Sequence, residues 1–306
     1  MIRLPHTDLE VHPLYLGGNV FGWTADRQTS HAVLDAYVGH GGNFLDTADV
    51  YSEWAPGNVG GESETLIGEW MRARGNRESI VLATKVAKHS KHRGLSRSNI
   101  MTALDASLHR LGTDYVDIYY AHEDDFAVPM EETLQAFADV IAAGKVRYIA
   151  ASQFTAPRLA QAMETARAMH VPGYIGLQTH YNLMEREFEA DLQQVCIEQE
   201  ISCLPFCGLG RGFLTGKYQP GIAVASARAA AVLEDYDNER GWTMVQVLGG
   251  IAARHGVEPS AVALAWLRAQ PSVITPLASA RTVAQLDALL QPVALQDEDI
   301  ALLNAI

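Results

Sequence analysis

Apolar residues in this chain fall into short continuous runs separated by stretches with helical spacing. The runs lie at 14–17, 43–46, 80–84, 115–120, 146–150, 174–178, 201–205 and 272–275. Several are unbroken rather than alternating, the pattern of parallel strands covered on both faces. Between them apolar positions recur three and four residues apart. Val33, Leu34, Tyr37 and Val38 form one such set, and Leu66, Ile67, Trp70 and Met71 the next. Ile100, Leu104, Leu108 and Leu111 form a third, and Leu134, Phe137, Ala138 and Ile141 a fourth. Each set predicts a helix with one buried face. Thr155-Ala156-Pro157 reads as a helix start, with a hydroxyl cap and a proline whose missing N–H costs nothing in the first turn. Residues 2–11 alternate in type around His6-Thr7 and predict a small hairpin ahead of the main body.

Eight strands alternating with helices predict an α/β fold: a parallel sheet closed into a (β/α)8 TIM barrel. The alternative is a doubly wound open sheet, which has fewer units and a glycine fingerprint after its first strand. The turn here is LGGNVFGW, not G-x-G-x-x-G. The rhythm stretches once, after the seventh strand, between 206 and 271. That interval holds a Gly-rich loop, an Ala-rich stretch at 223–232, an acidic patch (Glu234, Asp235, Asp237, Glu239) and helical segments at roughly 241–255 and 259–269. So long an insertion is expected to be a functional loop or lid. No repeat, low-complexity tract or linker divides residues 1–306, so one domain is expected.

Composition narrows the partners. The net charge of −13 argues against nucleic acid or an anionic membrane surface. No apolar run approaches the roughly 20 residues of a membrane span, and MIRLPHTDLEV lacks a basic-then-apolar signal pattern. A soluble, cytoplasmic protein is expected. Cys196, Cys203 and Cys207 are an odd set without paired metal-ligand spacing, and free thiols are the expectation. His89 and His92, within KHSKHR, read as a solvated basic loop, and no metal is expected.

The candidate chemistry collects at strand ends. NFLDTADVY (43–51) is a short buried strand ending in Asp46, with Tyr51 five residues on. SIVLATK ends in Lys85 and YVDIYYAH in His122. In a barrel the loops after the strands share one face, and adjacent strands lie about 4.8 Å apart, so the four side chains converge. A tyrosine is a poor acid near neutrality unless a nearby ammonium lowers its pKa, and a carboxylate keeps that ammonium charged. Lys85 is therefore expected to draw the Tyr51 phenol down, Asp46 to hold Lys85, and His122 to orient a carbonyl oxygen. The set suits protonation of an oxygen while a cofactor attacks the carbon. Trp23 and Trp54, on loops of the same face, are expected to line a substrate pocket with His122.

These residues resemble the aldo-keto reductase family along essentially the whole chain, most closely the branch that includes bacterial members and the potassium-channel β subunits, where GESE (61–64) is common. In that resemblance Asp46, Tyr51, Lys85 and His122 occupy the catalytic tetrad places. AASQF (150–154) is similar to the segment that binds the nicotinamide amide, here Ser152 and Gln153, with Gln178 of LQTHYN nearby. Gly18 and Asn19 of GGNVFGW fall where the first strand meets the cofactor, as does Asp46. PFCGLGRGFLTGK (205–217) resembles the loop that packs a ring on the nicotinamide and folds over the pyrophosphate, implicating Phe206, Cys207, Leu209, Arg211 and Lys217. TPLASARTVAQL (275–286) resembles the grip on the adenosine 2′-phosphate, with Ser279, Arg281 and Gln285 matched. The resemblance implies NADP(H)-dependent reduction of a small carbonyl substrate, with the proton from Tyr51. Departures fall on the cofactor side: Ser52 follows Tyr51 in place of glycine, Gln153 replaces asparagine, Phe206 replaces tyrosine, Cys207-Gly208 replaces Ser-Pro, and Ala288 and Leu289 stand where Glu and Asn often read the adenine. Two further readings remain open at this point. One is an NADP(H)-binding sensor module with little turnover and a protein partner not specified by the sequence. The other is a barrel glycosidase using Glu62 and Glu64.

Overall fold

The computed structural model describes residues 1–224 and 229–306. Eight short parallel strands form the central sheet: β1 (Tyr15–Gly17), β2 (Phe44–Asp46), β3 (Val81–Val86), β4 (Val116–Ala121), β5 (Val146–Ser152), β6 (Gly176–Gln178), β7 (Ser202–Cys203) and β8 (Leu277–Ala278). Neighbours pair in chain order from β1 to β7, and β8 pairs with β1 through Leu277↔Tyr15 and Ala278↔Leu16. The remaining gap is bridged by the backbone: Cys203 N–H donates to Ser272 O (2.8 Å), Ile274 N–H to Cys203 O (3.0 Å) and Leu277 N–H to Pro205 O (2.8 Å). The sheet thus curls round on itself as the (β/α)8 barrel expected. Every residue of β3 and β4 is buried, which is why these strands read as unbroken apolar runs.

The helices wrap the outside. In chain order they are α1 (Arg27–Gly39), α2 (Glu62–Arg74), α3 (Arg97–Leu111), α4 (Met130–Ala142), α5 (Ala156–Met169), α6 (Leu192–Glu198), α7 (Ala229–Tyr236), α8 (Glu239–His255), α9 (Pro259–Arg268), α10 (Val283–Leu289) and α11 (Asp297–Asn304). The predicted apolar sets face inward: Ile100, Leu104, Leu108 and Leu111 of α3 are all buried, as are Leu134 and Phe137 of α4. Ala138 and Ile141 reach the helix flank and are only partly covered, because Val140 takes the buried position instead. Thr155 does precede α5, but its hydroxyl makes no capping hydrogen bond. The eighth strand lies two residues beyond the predicted 272–275 run, of which Val273 only bridges to Cys203. The stretched interval after β7 holds a 3-10 segment (Gly210–Thr215) and α7 to α9. Within the Ala-rich stretch at 223–232, positions 225–228 lie outside the described residues.

The predicted hairpin pairs Ile2–Arg3 with Glu10–Val11. Its Leu4, Leu9 and Val11 are buried in one cluster with Tyr15, Phe44, Val81, Ala83, Ile118 and Tyr120 of the barrel strands. The hairpin therefore stoppers the end of the barrel opposite the strand C-termini. The KHSKHR segment forms a second small hairpin, Lys88–His89 against His92–Arg93. Among the described residues no helix is long and apolar enough to cross a membrane, and no group of three His, Cys, Asp or Glu side chains is arranged to hold a metal ion.

Candidate active site

Strand periodicity delivers the central side chains. Phe44 and Ala83 belong to the barrel's inner cluster, and two residues further along each strand Asp46 and Lys85 continue the same inward column. Both are fully buried. Lys85 Nζ directs its three hydrogens to Asp46 Oδ1 at 2.5 Å, Thr47 O at 2.8 Å and the Tyr51 hydroxyl at 3.0 Å. The Tyr51 hydroxyl in turn donates to Asp46 Oδ2 at 2.8 Å, and Gln178 Nε2 donates to Asp46 Oδ1 at 2.7 Å. The loop carrying Tyr51 is pinned to the loop after β1: Ser52 Oγ donates to Phe21 O, and Asn58 Nδ2 donates to both Gly22 O and Ser52 O. Ser52 adopts φ = 72°, the left-handed conformation that a glycine takes without strain. His122 follows β4 with its ring edge-on to Tyr51 at 5.9 Å, and Gln153 Nε2 donates to His122 O at 3.1 Å.

The electrostatics differ from the sequence-based expectation in one respect. Burial, and next the Asp46 carboxylate, push the Tyr51 phenol well above its ordinary range rather than down. The Lys85 ammonium is already compensated by Asp46 at 2.5 Å, so the phenol sees a nearly neutral pair rather than a bare cation. Burial lowers the Lys85 pKa while Asp46 opposes that shift. Burial, then Lys85 and Lys88, hold His122 well below its usual value, so its imidazole is neutral near pH 7.

Tyr51 and His122 stand at one end of a groove of about 610 Å³ across the C-terminal face of the barrel. The groove runs past Ser152, Gln153 and Gln178, then along Phe206, Cys207 and Leu209. At its far end it reaches Lys217, Ser279, Arg281 and Gln285, and Ala288 and Leu289 line it as well. Asn19 lines the groove and accepts from Ser279 Oγ at 2.6 Å. Gly18 lies beneath it, donating to Asp46 O at 2.8 Å; a Cβ there would come within 2.7 Å of Ser63 Oγ. Arg211 borders the groove, but its guanidinium pairs with Asp235 and lies over the Tyr236 ring. Phe206 has one face stacked on His180, ring centres 5.4 Å apart.

Trp23 lines the groove. Trp54 does not: it is 49% exposed and sits edge-on to Trp23, with ring centroids 5.7 Å apart. Glu62 and Glu64 face away from the groove. Glu62 accepts from the Val59 and Gly60 N–H groups, and Glu64 is buried against Arg110 and Thr84. Val20, Thr24, Lys88 and Glu258 also line the groove. No motif marks them, although Lys88 lies just three residues past Lys85 in a loop of the same face.

A family model, that of the aldo/keto reductase family, matches residues 13–306. The chain belongs to the aldo/keto reductase family. It is 34% identical to "Protein tas" of Escherichia coli (strain K12), over 97% of this chain and 94% of that one. It is 32% identical to "Norsolorinic acid reductase stcV" of Emericella nidulans, over 97% of this chain and 78% of that one. A third relative is "Aryl-alcohol dehydrogenase [NADP(+)]" of Phanerodontia chrysosporium, 29% identical over 98% of this chain and 83% of that one. As an aldo/keto reductase the protein is an oxidoreductase of small carbonyl compounds. A nicotinamide cofactor suits the groove on its own chemistry. The far end presents two cationic side chains, Lys217 and Arg281, beside the hydroxyl of Ser279, a set matched to phosphate groups. At the near end His122 Nδ1 is a buried polar atom without a hydrogen-bond partner among the described residues.

Proposed function

We propose that this aldo/keto reductase uses NADPH to reduce small aldehydes or ketones to alcohols, with Tyr51 as proton donor. The observation that carries the reading is the bonded set Tyr51–Lys85–Asp46 at the closed end of a groove whose far end is cationic. A reduced nicotinamide held by the groove would supply a hydride to the carbonyl carbon. Tyr51 holds its proton at neutral pH, since burial and Asp46 keep the phenol high. At rest that proton is shared with Asp46 Oδ2. A carbonyl oxygen beside the hydroxyl takes over the hydrogen bond as negative charge builds on it. Lys85, already donating to the phenol oxygen, stabilises the phenolate left behind. Neutral His122 orients the oxygen without adding a charge that would compete for the proton.

Ser152, Gln153 and Gln178 are assigned to the carboxamide end of the cofactor and Phe206 to its ring. Leu209, Arg211 and Lys217 are assigned to the pyrophosphate. Ser279, Arg281 and Gln285 are assigned to the 2′-phosphate, which is the basis for NADPH over NADH. Nicotinamide absorbance, followed with an aldehyde panel, tests the reading. Tyr51→Phe is expected to lower kcat by about 10²–10⁴-fold, the usual worth of a positioned acid, with NADPH affinity nearly unchanged. Turnover in Tyr51→Phe equal to that of the wild type would overturn the assignment.

A further inference from the structure

Among the described residues, the lysines and arginines that line the groove are Lys88, Arg211, Lys217 and Arg281. The last three follow β7 or β8, the side of the barrel assigned above to the cofactor phosphates. Lys88 follows β3, which lies three strands from β8 and four from β7 around the sheet. It therefore stands across the barrel mouth from the phosphate set, on the wall that carries Tyr51 and His122. Its backbone is held by the small hairpin, where Lys88 pairs with Arg93 and Gly94 N–H donates to Ala87 O at 3.0 Å. Lys88 Nζ lies 3.3 Å from Glu123 Oε2, and both side chains are partly exposed. Glu123 directly follows His122, so the ion pair stands beside the imidazole, and Lys88 is among the charges that keep that ring neutral. A partly exposed pair of this length is weakly held. An ammonium carries three hydrogens, so Glu123 leaves Lys88 able to meet a second anion.

The surroundings of the Tyr51 hydroxyl are otherwise aromatic. Trp23 lines the groove, and Trp54 lies edge-on to Trp23 at 5.7 Å and to Tyr51 at 6.2 Å, bracing both rings. A carbonyl compound whose oxygen meets that hydroxyl has an indole and an ammonium within the same end of the groove. We propose that Lys88 is a specificity-determining residue and that the substrates are aromatic aldehydes or ketones carrying a carboxylate, which Lys88 receives. The inference rests on the reductase reading for the reacting end of the substrate and adds the anionic end. In a chain of net charge −13 a cation on the substrate wall is what admits an anion there. A carboxylate remote from the carbonyl keeps its charge throughout hydride transfer. Its bond to Lys88 is therefore as strong before the reaction as during it, and it acts on KM rather than on kcat.

The test follows NADPH consumption by the full-length protein with meta- and para-carboxybenzaldehyde and with the methyl ester of each. The acid-to-ester ratio of kcat/KM is taken within one protein, so any loss of folded enzyme in a variant cancels. In the wild type the ratio should exceed one for at least one isomer and shrink with added salt. Lys88→Met should lower it by about tenfold, the worth of a partly exposed charge-assisted hydrogen bond, and the change should lie in KM. Lys88→Arg should keep most of the preference. Glu123→Gln should raise it, because the competing carboxylate is gone. Calorimetric titration with the corresponding hydroxymethylbenzoates and their methyl esters reads the same preference without turnover. A wild-type ratio of one for both isomers, a ratio that Lys88→Met leaves unmoved, or a change carried by kcat alone would overturn the assignment while leaving the reductase standing. A protein that reduces none of the aldehydes, yet binds the acids over the esters in a Lys88-dependent way, would sink the reductase reading and leave the anion site in place.

Discussion

Asp49, three residues past Asp46, is almost fully buried, and neither of its carboxylate oxygens has a side-chain hydrogen-bond partner among the described residues. Burial first, then the nearby Glu64, raise its pKa from 3.8 to about 8, against the opposing pull of Arg110 and Lys85. The folded protein thus holds a proton that the unfolded chain releases near pH 4. Stability attached to this group is greatest at low pH, falls as pH rises between those two values, and is level above about pH 8. Asp49→Asn, which stays neutral, should match the wild type near pH 4 and become progressively the more stable of the two up to about pH 8. Urea midpoints at the two ends of that range check it; a constant gap would mean that Asp49 is ionised in the fold. At this scale the sequence was most informative where chemistry sits at a strand end. Asp46, Tyr51, Lys85 and His122 were legible because each closes or follows a buried apolar run. The direction of the Tyr51 shift was not legible, because it depends on how completely Asp46 compensates Lys85, a matter of ångströms. Trp54 was misplaced for a similar reason: a loop position identifies the face of the barrel but not which of two neighbouring indoles covers the other.

The segment after β7 crosses the groove and is tied to the insertion it leads into. Arg211 pairs with Asp235 near the end of α7 and lies over Tyr236, whose hydroxyl reaches Glu185. Because Asp235 is half exposed, Asp235→Ala should change global stability by no more than about 1 kcal/mol. The same loss applied to the held state of the loop corresponds to roughly a fivefold faster release of NADPH. Stopped-flow fluorescence of the bound nucleotide reads that rate, and an unaltered rate would show that the clasp does not gate the groove. Among the elements, strands buried on both faces and helices with four or more apolar positions in register were legible. The seven-residue α10 and eight-residue α11 were not, since Leu286 and Leu289 in one and Leu303 in the other are too few buried positions to make a period. The eighth strand was displaced because VITP is apolar but leads only into the short ladder at Leu277–Ala278.

Taken whole, the molecule is a barrel with one end given to chemistry and the other stoppered by the small hairpin. Leu9 is buried in that stopper with Leu4 and Val11. Leu9→Ala should cost about 2–5 kcal/mol, as for other large-to-small core changes, while NADPH affinity, measured well below the melting range, stays close to wild type. A coupled loss of affinity would show that the two ends communicate. The overall architecture was readable because eight apolar runs at regular spacing leave few ways to fold. Its closure was not, because the β7–β8 seam is made by isolated backbone bonds around Ser272–Leu277 that no side-chain pattern announces. The other seam, between β1 and β8, is crossed by Ser279 and Asn19, which lie 260 positions apart in the chain. Translation proceeds from the first of these to the second, so a ribosome-bound chain shorter than 279 residues still lacks the wall of the groove that carries Ser279, Arg281 and Gln285. The full lining of the groove is complete only when the last strand has found the first.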